Sequence, residues 1–122
     1  MNRSRISLLS LALLLIFATA LFAHFKVEQT LPEDGATSGK PVRSLRVWFT
    51  QEPDLPLSKL ELEGPNGALE VTGLHTMGEK DLMGRVVGAM PDGAYTAKWT
   101  AAGDDGHVLT GTWSFTIQRG TN

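Results

Sequence analysis

Alternation of apolar and polar residues is the clearest pattern along most of this chain. It runs through five segments: residues 25–28, 45–50, 59–63, 95–100 and 112–117. A period of two is typical of strands that turn one face toward a core. Weaker versions occur at residues 68–72 and 82–90, and helical periodicity is hard to find after residue 23. The pattern therefore predicts about seven short strands.

Turn signals separate these segments. Clusters rich in Gly, Pro, Asn and Asp lie at residues 32–35, 64–67, 91–93 and 104–106, where glycine supplies positive φ. Short strands with turns between them indicate an all-β domain, either an antiparallel β-sandwich or a Greek-key barrel. No repeat, linker or low-complexity segment interrupts the pattern, so we predict one domain.

The start of the chain has a different character. Arg3 and Arg5 precede an apolar run at residues 6–17, and small residues follow at 18–20, with Ala23 just beyond them. This order is typical of a secretory signal peptide. An uncleaved membrane anchor is the alternative, because residues 6–23 are just long enough to span a bilayer. We predict a signal peptide at 1–23, a domain at 24–118 and a C-terminal tail at 119–122.

Composition narrows the chemistry. The 122 residues include no cysteine, which excludes disulfides, thiolate zinc sites, iron–sulfur clusters, blue-copper sites and cysteine nucleophiles. Cleavage after Ala23 leaves 99 residues and changes the net charge from −2 to −4, because two arginines leave. Nothing in this charge balance indicates nucleic-acid binding.

Three residues point to a metal site. His24 follows Ala23 directly, so cleavage there would make it the N-terminus. A terminal histidine offers its α-amine and an imidazole nitrogen to one metal ion, and the amine's reference pKa near 8 makes its proton easy to displace. Asp105 and His107 flank Gly106 just before the last strand. In an extended segment their side chains would face the same side.

The donor set favours copper. An amine, two imidazoles and a carboxylate in tetragonal geometry suit Cu(II) or Ni(II), and Cu(II) binds tightest among these divalent ions. Zinc is the natural competitor at a His/Asp site. The alternative is that Asp-Gly-His forms only a solvated turn in a metal-free interaction module, with Trp48 as a contact residue.

The C-terminal part carries a longer motif. Gly-x-Tyr-x-x-x-Trp starts at Gly93, then come Asp105-Gly106-His107, Gly111 and an apolar strand with Phe115. Ala-His at the cleavage point and the segments 31–35, 47–53 and 64–67 extend the match. Together they resemble the CopC-type copper-resistance proteins over residues 24–118.

The resemblance implies an immunoglobulin-like β-barrel of seven strands that binds Cu(II) in the periplasm. It implies copper ligands at His24, through amine and imidazole, and at Asp105 and His107. The implied partner is a CopD-type inner-membrane protein involved in copper import. We expect a monomer without enzymatic activity.

Methionine usage departs from some members of that family. They carry a second, Cu(I) site in a Met-rich loop with a histidine, whereas here the isolated Met77, Met83 and Met90 form no cluster. Thioether sites for Cu(I) need several soft sulfurs. We therefore predict a Cu(II)-only protein, with His75 as a loop residue and Met83 and Met90 as core fillers.

Glu52 marks a second departure. The family commonly has a Phe-Ser-Glu-Pro-like run in this segment, whereas here Gln51 precedes Glu52 and leaves its register open. We expect Glu52 to be an exposed edge carboxylate, with a weak or outer role at the metal as the alternative.

Two further alternatives concern the N-terminus. Cleavage after Ala20 would fit an Ala-x-Ala signal better than cleavage after Ala23. It would leave His24 within the chain and remove the amine ligand. A copper monooxygenase with an N-terminal histidine brace also places a terminal histidine on a β-sandwich, but such enzymes are generally larger than 99 residues.

Overall fold

The computed structural model describes residues 25–120. The predicted signal peptide, His24 and the last two residues lie outside the described residues. Within the described part, no helix is long and apolar enough to cross a membrane.

Eight strands and one short 3-10 turn make up the domain. They are β1 (Val27–Leu31), β2 (Ala36–Ser38), β3 (Ser44–Phe49), the 3-10 turn (Leu55–Leu57), β4 (Lys59–Gly64), β5 (Gly67–His75), β6 (Asp81–Val87), β7 (Gly93–Ala102) and β8 (Val108–Ile117). The order across the sheet is β1-β3-β6-β5-β4-β7-β8-β2, so β1 and β2 form its two edges. Every pair is antiparallel except β2 with β8.

The apolar face of each alternating strand lines one core. Buried side chains recur at every second position of β3, β7 and β8: Leu45, Val47, Phe49, Tyr95, Ala97, Trp99, Trp113, Phe115 and Ile117. The rings of Tyr95 and Phe115 stack with centroids 5.3 Å apart. The Tyr95 hydroxyl is satisfied at 2.5 Å by the Pro91 carbonyl oxygen. The predicted all-β Greek-key sandwich is confirmed, including the two weaker strand segments, which form β5 and β6.

Two details differ from the predicted pattern. The strand count is eight because β2, only three residues long, pairs with the end of β8. In β1 the ladder shifts between Val27 and Gln29, so Val27 is exposed and Thr30 is the buried residue instead. The alternation that begins at Phe25 therefore does not continue along β1.

The predicted roles of Trp48 and two methionines have distinct outcomes. Trp48 is half-buried, with the Arg46 guanidinium 4.3 Å from its ring centroid. Met90 is a buried core residue as predicted, whereas Met83 is only half-buried. Met77 is exposed.

Candidate functional site

Asp105, Gly106 and His107 form the tip of the hairpin between β7 and β8. The last residue of β7 pairs with the first of β8. The Gly106 N–H donates to the Gly103 carbonyl at 3.1 Å, and Gly106 has a φ of 77°, which glycine adopts without steric cost. The segment is thus a tight turn. The turn signal at residues 104–106 is confirmed, and it is this turn, not an extended segment, that brings the two side chains together.

The carboxylate of Asp105 contacts His107 through both of its oxygens. Its Oδ1 accepts the His107 backbone N–H at 3.0 Å, and its Oδ2 lies 2.8 Å from the ring Nδ1. An ionised carboxylate only accepts hydrogen bonds, so this contact places a proton on Nδ1 and leaves Nε2 with a free lone pair. Both side chains are open to solvent, at 68% and 77% exposure.

This contact also affects acidity. The hydrogen bond from the His107 side chain, followed by that from its backbone N–H, holds the pKa of Asp105 below its ordinary value. Asp105 is therefore ionised at neutral pH. A fixed imidazole beside an ionised carboxylate provides one nitrogen and one oxygen donor for a cation.

Gln51, which lies just after β3, is hydrogen-bonded to the turn. No local pattern in the sequence predicts this role. Its Oε1 accepts the Asp104 N–H at 2.9 Å. The same oxygen lies so close to Gly103 that a Cβ there would approach it to 2.6 Å. Gln51 and Asp104 are 53 residues apart in the chain, so only the fold, in which the ends of β3 and β7 lie close together, brings them into contact.

Phe25, the first described residue, packs beside the same turn, where a Cβ at Gly103 would lie 2.8 Å from its ring. Its ring stacks on Phe49 with centroids 4.8 Å apart and lies 6.5 Å from Trp99. Next to it, the Lys26 N–H donates to Thr50 Oγ1 and the Lys26 carbonyl accepts the Thr50 N–H, both at 2.9 Å. The chain therefore enters the domain beside the Asp-Gly-His turn.

Glu52 faces a different loop. Its Oε2 accepts the Lys80 N–H at 3.2 Å, and its Oε1 lies 3.2 Å from the Thr76 hydroxyl oxygen, whose hydrogen is shared with Asp81. The side chain is exposed. The contacts of Glu52 are with residues 76–80, while its neighbour Gln51 is the residue bound to the turn.

His75 also lies away from the turn. It is the last residue of β5, and its Nδ1 lies 2.7 Å from the Gly73 carbonyl oxygen. Within residues 25–120, no three His, Cys, Asp or Glu side chains are grouped closely enough to hold a metal ion. Among the described residues, Asp105 and His107 are thus a pair of potential donor side chains without a third beside them.

A buried aspartate, Asp81, organises the loop at residues 76–80. Its Oδ1 accepts the Thr76 hydroxyl at 2.9 Å and the N–H groups of Met77 and Glu79 at 3.0 and 3.1 Å, while its Oδ2 accepts Arg46 Nε at 2.9 Å. Burial alone would raise the pKa of Asp81, but these hydrogen bonds outweigh it and lower the pKa. Such a satisfied carboxylate is a structural element, and the sequence pattern gave no sign of it.

Comparisons with known proteins agree with this architecture. The CopC domain family matches residues 27–118. The chain is 20% identical to PcoC, a methionine-rich copper resistance protein from Escherichia coli, with a TM-score of 0.70, covering 79% of this chain and 100% of PcoC. For CopC from Methylosinus trichosporium OB3b the identity is 17% and the TM-score 0.70, covering 81% and 98%.

The filamin domain of Lin-41 shows the wider fold relationship. It is 16% identical with a TM-score of 0.50, covering 71% of this chain and 85% of that domain. No curated protein matches the chain. At these identities the structural likenesses establish the fold, whereas the family match spans most of the sequence. The predicted resemblance is confirmed, and the chain belongs to the CopC domain family.

Proposed function

We propose that this protein binds one Cu(II) ion in the periplasm, through the amine and imidazole of an N-terminal His24 together with Asp105 and His107. The observation that carries the proposal is the Asp105–His107 pair, held on an exposed turn beside the point where the chain enters the domain. Membership of the CopC domain family supports it, as does the similarity of the fold to that of PcoC, a copper resistance protein.

Phe25 lies close to the turn that carries Asp105 and His107. A Cβ at Gly103 would lie only 2.8 Å from Phe25 Cδ2, and Gly103 is two residues from Asp105. Consecutive Cα atoms are about 3.8 Å apart, so the residue before Phe25 starts within a short distance of the turn. If the mature chain begins at His24, its amine and imidazole have access to the metal held by His107.

The chemistry of the donors favours Cu(II). Nitrogen and carboxylate donors suit this ion better than Cu(I), which prefers sulfur. His107 presents Nε2 because Asp105 holds the proton on Nδ1. In the structure Asp105 lies against Nδ1, on the other side of the ring from Nε2, so Asp105 and Nε2 share one metal ion only after the hydrogen bond between Oδ2 and Nδ1 is released. Zinc competes for the same donors.

Exposure of the site fits a carrier. Both described donors are mostly solvent-accessible, so an incoming protein ligand can reach the metal and replace them one at a time. We propose delivery of copper to a CopD-type inner-membrane protein by such an exchange, with no catalytic step. Export by the predicted signal peptide places the protein in the periplasm and creates the amine ligand.

A Cu(II) titration tests this function. The protein beginning at His24 is titrated with Cu(II) against a competing chelator while tryptophan emission is recorded, since Trp99 lies 6.5 Å from Phe25. We expect one tight site in the wild type and strong loss of affinity in His107→Ala and Asp105→Ala.

The matched control is His75→Ala, which removes an exposed histidine at the end of β5. It should bind Cu(II) as the wild type does. Wild-type affinity in the His107→Ala variant would contradict the assigned site. A stronger preference for Zn(II) than for Cu(II) would contradict the proposed metal.

A further inference from the structure

An open groove separates the first and last long strands of the domain. β1 is one edge of the curled sheet, and on the other side β2 covers only residues 115–117 of β8. Among the described residues, no strand pairs with the outer side of β8 over residues 108–113. The two facing edges and the loop after β1 enclose a groove of about 430 Å³.

Trp113 lies in the wall of this groove and has a buried hydrogen-bond donor that is not satisfied. Its side chain is 3% exposed, and its indole Nε1 has no partner within residues 25–120. Buried donors without acceptors are rare, because each forfeits the hydrogen bond it made with water. An acceptor supplied by a bound molecule would satisfy this one.

The rest of the groove combines strand edges with negative charge. Val27, Gln29 and Thr30 line it from β1, and Trp99 and Thr112 from β7 and β8. The three charged residues among its lining, Glu28, Glu33 and Asp34, are all acidic. Asp34 Oδ1 already accepts the Ser114 N–H at 3.0 Å. The groove therefore has charge complementarity to a cationic partner.

We propose that this groove binds an extended, basic segment of a partner protein. An exposed strand edge pairs with an extended chain through main-chain hydrogen bonds, and β1 offers such an edge over Val27–Leu31. Lysine or arginine side chains of the segment lie against Glu28 and Glu33. Because the Trp113 Nε1 is buried, a main-chain carbonyl of the segment accepts its N–H only when the groove lining moves aside.

The groove is independent of the proposed copper site but lies next to it. None of its lining residues is a proposed copper ligand. Trp99 connects the two, because it lines the groove and lies 6.5 Å from Phe25. A partner bound along β1 would thus be held beside the turn that carries Asp105 and His107.

The test uses nuclear magnetic resonance on metal-free, nitrogen-15-labelled protein beginning at His24, in the presence of a chelator. The probe is a short synthetic peptide of alternating lysine and valine, and the matched control peptide has glutamate in place of lysine. We expect the lysine peptide to shift amide signals of β1 and of residues 112–113. The Trp113 indole N–H signal should move as well.

Variants make the assignment specific. Trp113→Phe removes the donor, keeps an aromatic ring, and should weaken binding about fivefold, the value of one net hydrogen bond. Its stability is measured by urea unfolding alongside, because the smaller ring leaves space in the core. The double change Glu28→Gln and Glu33→Gln should weaken binding and reduce its salt dependence. Glu61→Gln on β4, an exposed carboxylate outside the groove, is the control and should bind as the wild type does.

Three results would overturn the proposal. They are equal binding of the acidic and basic peptides, an unmoved Trp113 indole signal at saturation, and unchanged binding by both groove variants. Concentration-dependent dimerisation through β1 that the lysine peptide does not displace would assign the groove to a second copy of this chain instead.

Discussion

Gly103→Ala tests whether the chain entry and the Asp-Gly-His turn form one site. The new Cβ would lie 2.6 Å from Gln51 Oε1 and 2.8 Å from Phe25 Cδ2, whereas ordinary contacts between carbon atoms are about 3.5–4.0 Å. Phe25 and Gln51 must therefore both shift, by up to about 1 Å, unless residue 103 itself moves away from them. Overpacking of this kind costs about 1–3 kcal/mol.

Either movement separates the proposed ligands. Displacing Phe25 moves the start of the described chain away from the turn, and displacing Gln51 breaks its 2.9 Å hydrogen bond to the Asp104 N–H. Copper binding must then restore the strained arrangement. If restoring the original arrangement costs about 1.4 kcal/mol of the binding free energy, Cu(II) affinity falls about tenfold.

Urea unfolding and Cu(II) competition titration measure the two effects on the same protein samples. Gly39→Ala is the matched control, because a Cβ there meets no atom within 4 Å; both of its values should equal those of the wild type. A Gly103→Ala protein that is destabilised but binds Cu(II) with wild-type affinity would contradict this prediction. The contact between Phe25, Gln51 and the turn would then have no part in the metal site.

Two further predictions concern the turn and the buried carboxylate. Gly106→Ala places a side chain at a φ of 77°, so we expect about 1–2 kcal/mol of lost stability in urea unfolding together with weaker Cu(II) binding; an unchanged affinity would contradict the turn's role. Asp81→Asn should cost about 3 kcal/mol, because it breaks the buried pair with Arg46. Since the folded-state pKa of Asp81 is lowered, its contribution is complete above the unfolded pKa of about 3.9 and is lost as pH falls through the folded value. The difference between wild type and Asp81→Asn, measured by urea unfolding, should therefore be constant from about pH 5 to 8 and shrink below about pH 4; a difference that grows on acidification would contradict this assignment.

Strands were predictable where the apolar residues at every second position are the ones that are buried. Leu45, Val47 and Phe49 face the core as their spacing indicates. β2 escaped prediction because Ala36-Thr37-Ser38 has no large apolar residue and is held only by the edge of β8. The β1 face was wrong because a shift in the ladder at Val27/Gln29 breaks the period on which the prediction depends.

The candidate site was predictable only in its local part. Asp105 and His107 are close in sequence and the turn at residues 104–106 was predicted, so their pairing was accessible. Gln51 contacts Asp104 across a separation of 53 residues. No local pattern encodes such a contact, which depends on how β3 and β7 end at the same edge of the fold.

The role of His24 stays a prediction, because it lies outside the described residues. It is also the residue that makes the proposed ligand set differ from a pair on a turn. Its two nitrogens become available together only if cleavage follows Ala23, so the N-terminus of the exported protein and its copper content belong to one question.

Mass measurement of the exported protein, with and without Cu(II) under native conditions, tests this most directly. We expect a mature chain that begins at His24 and gains the mass of one copper ion. We also expect a chain beginning at Leu21 to bind copper more weakly. A mature chain with a different N-terminus, or one beginning at His24 that gains no copper, would contradict it.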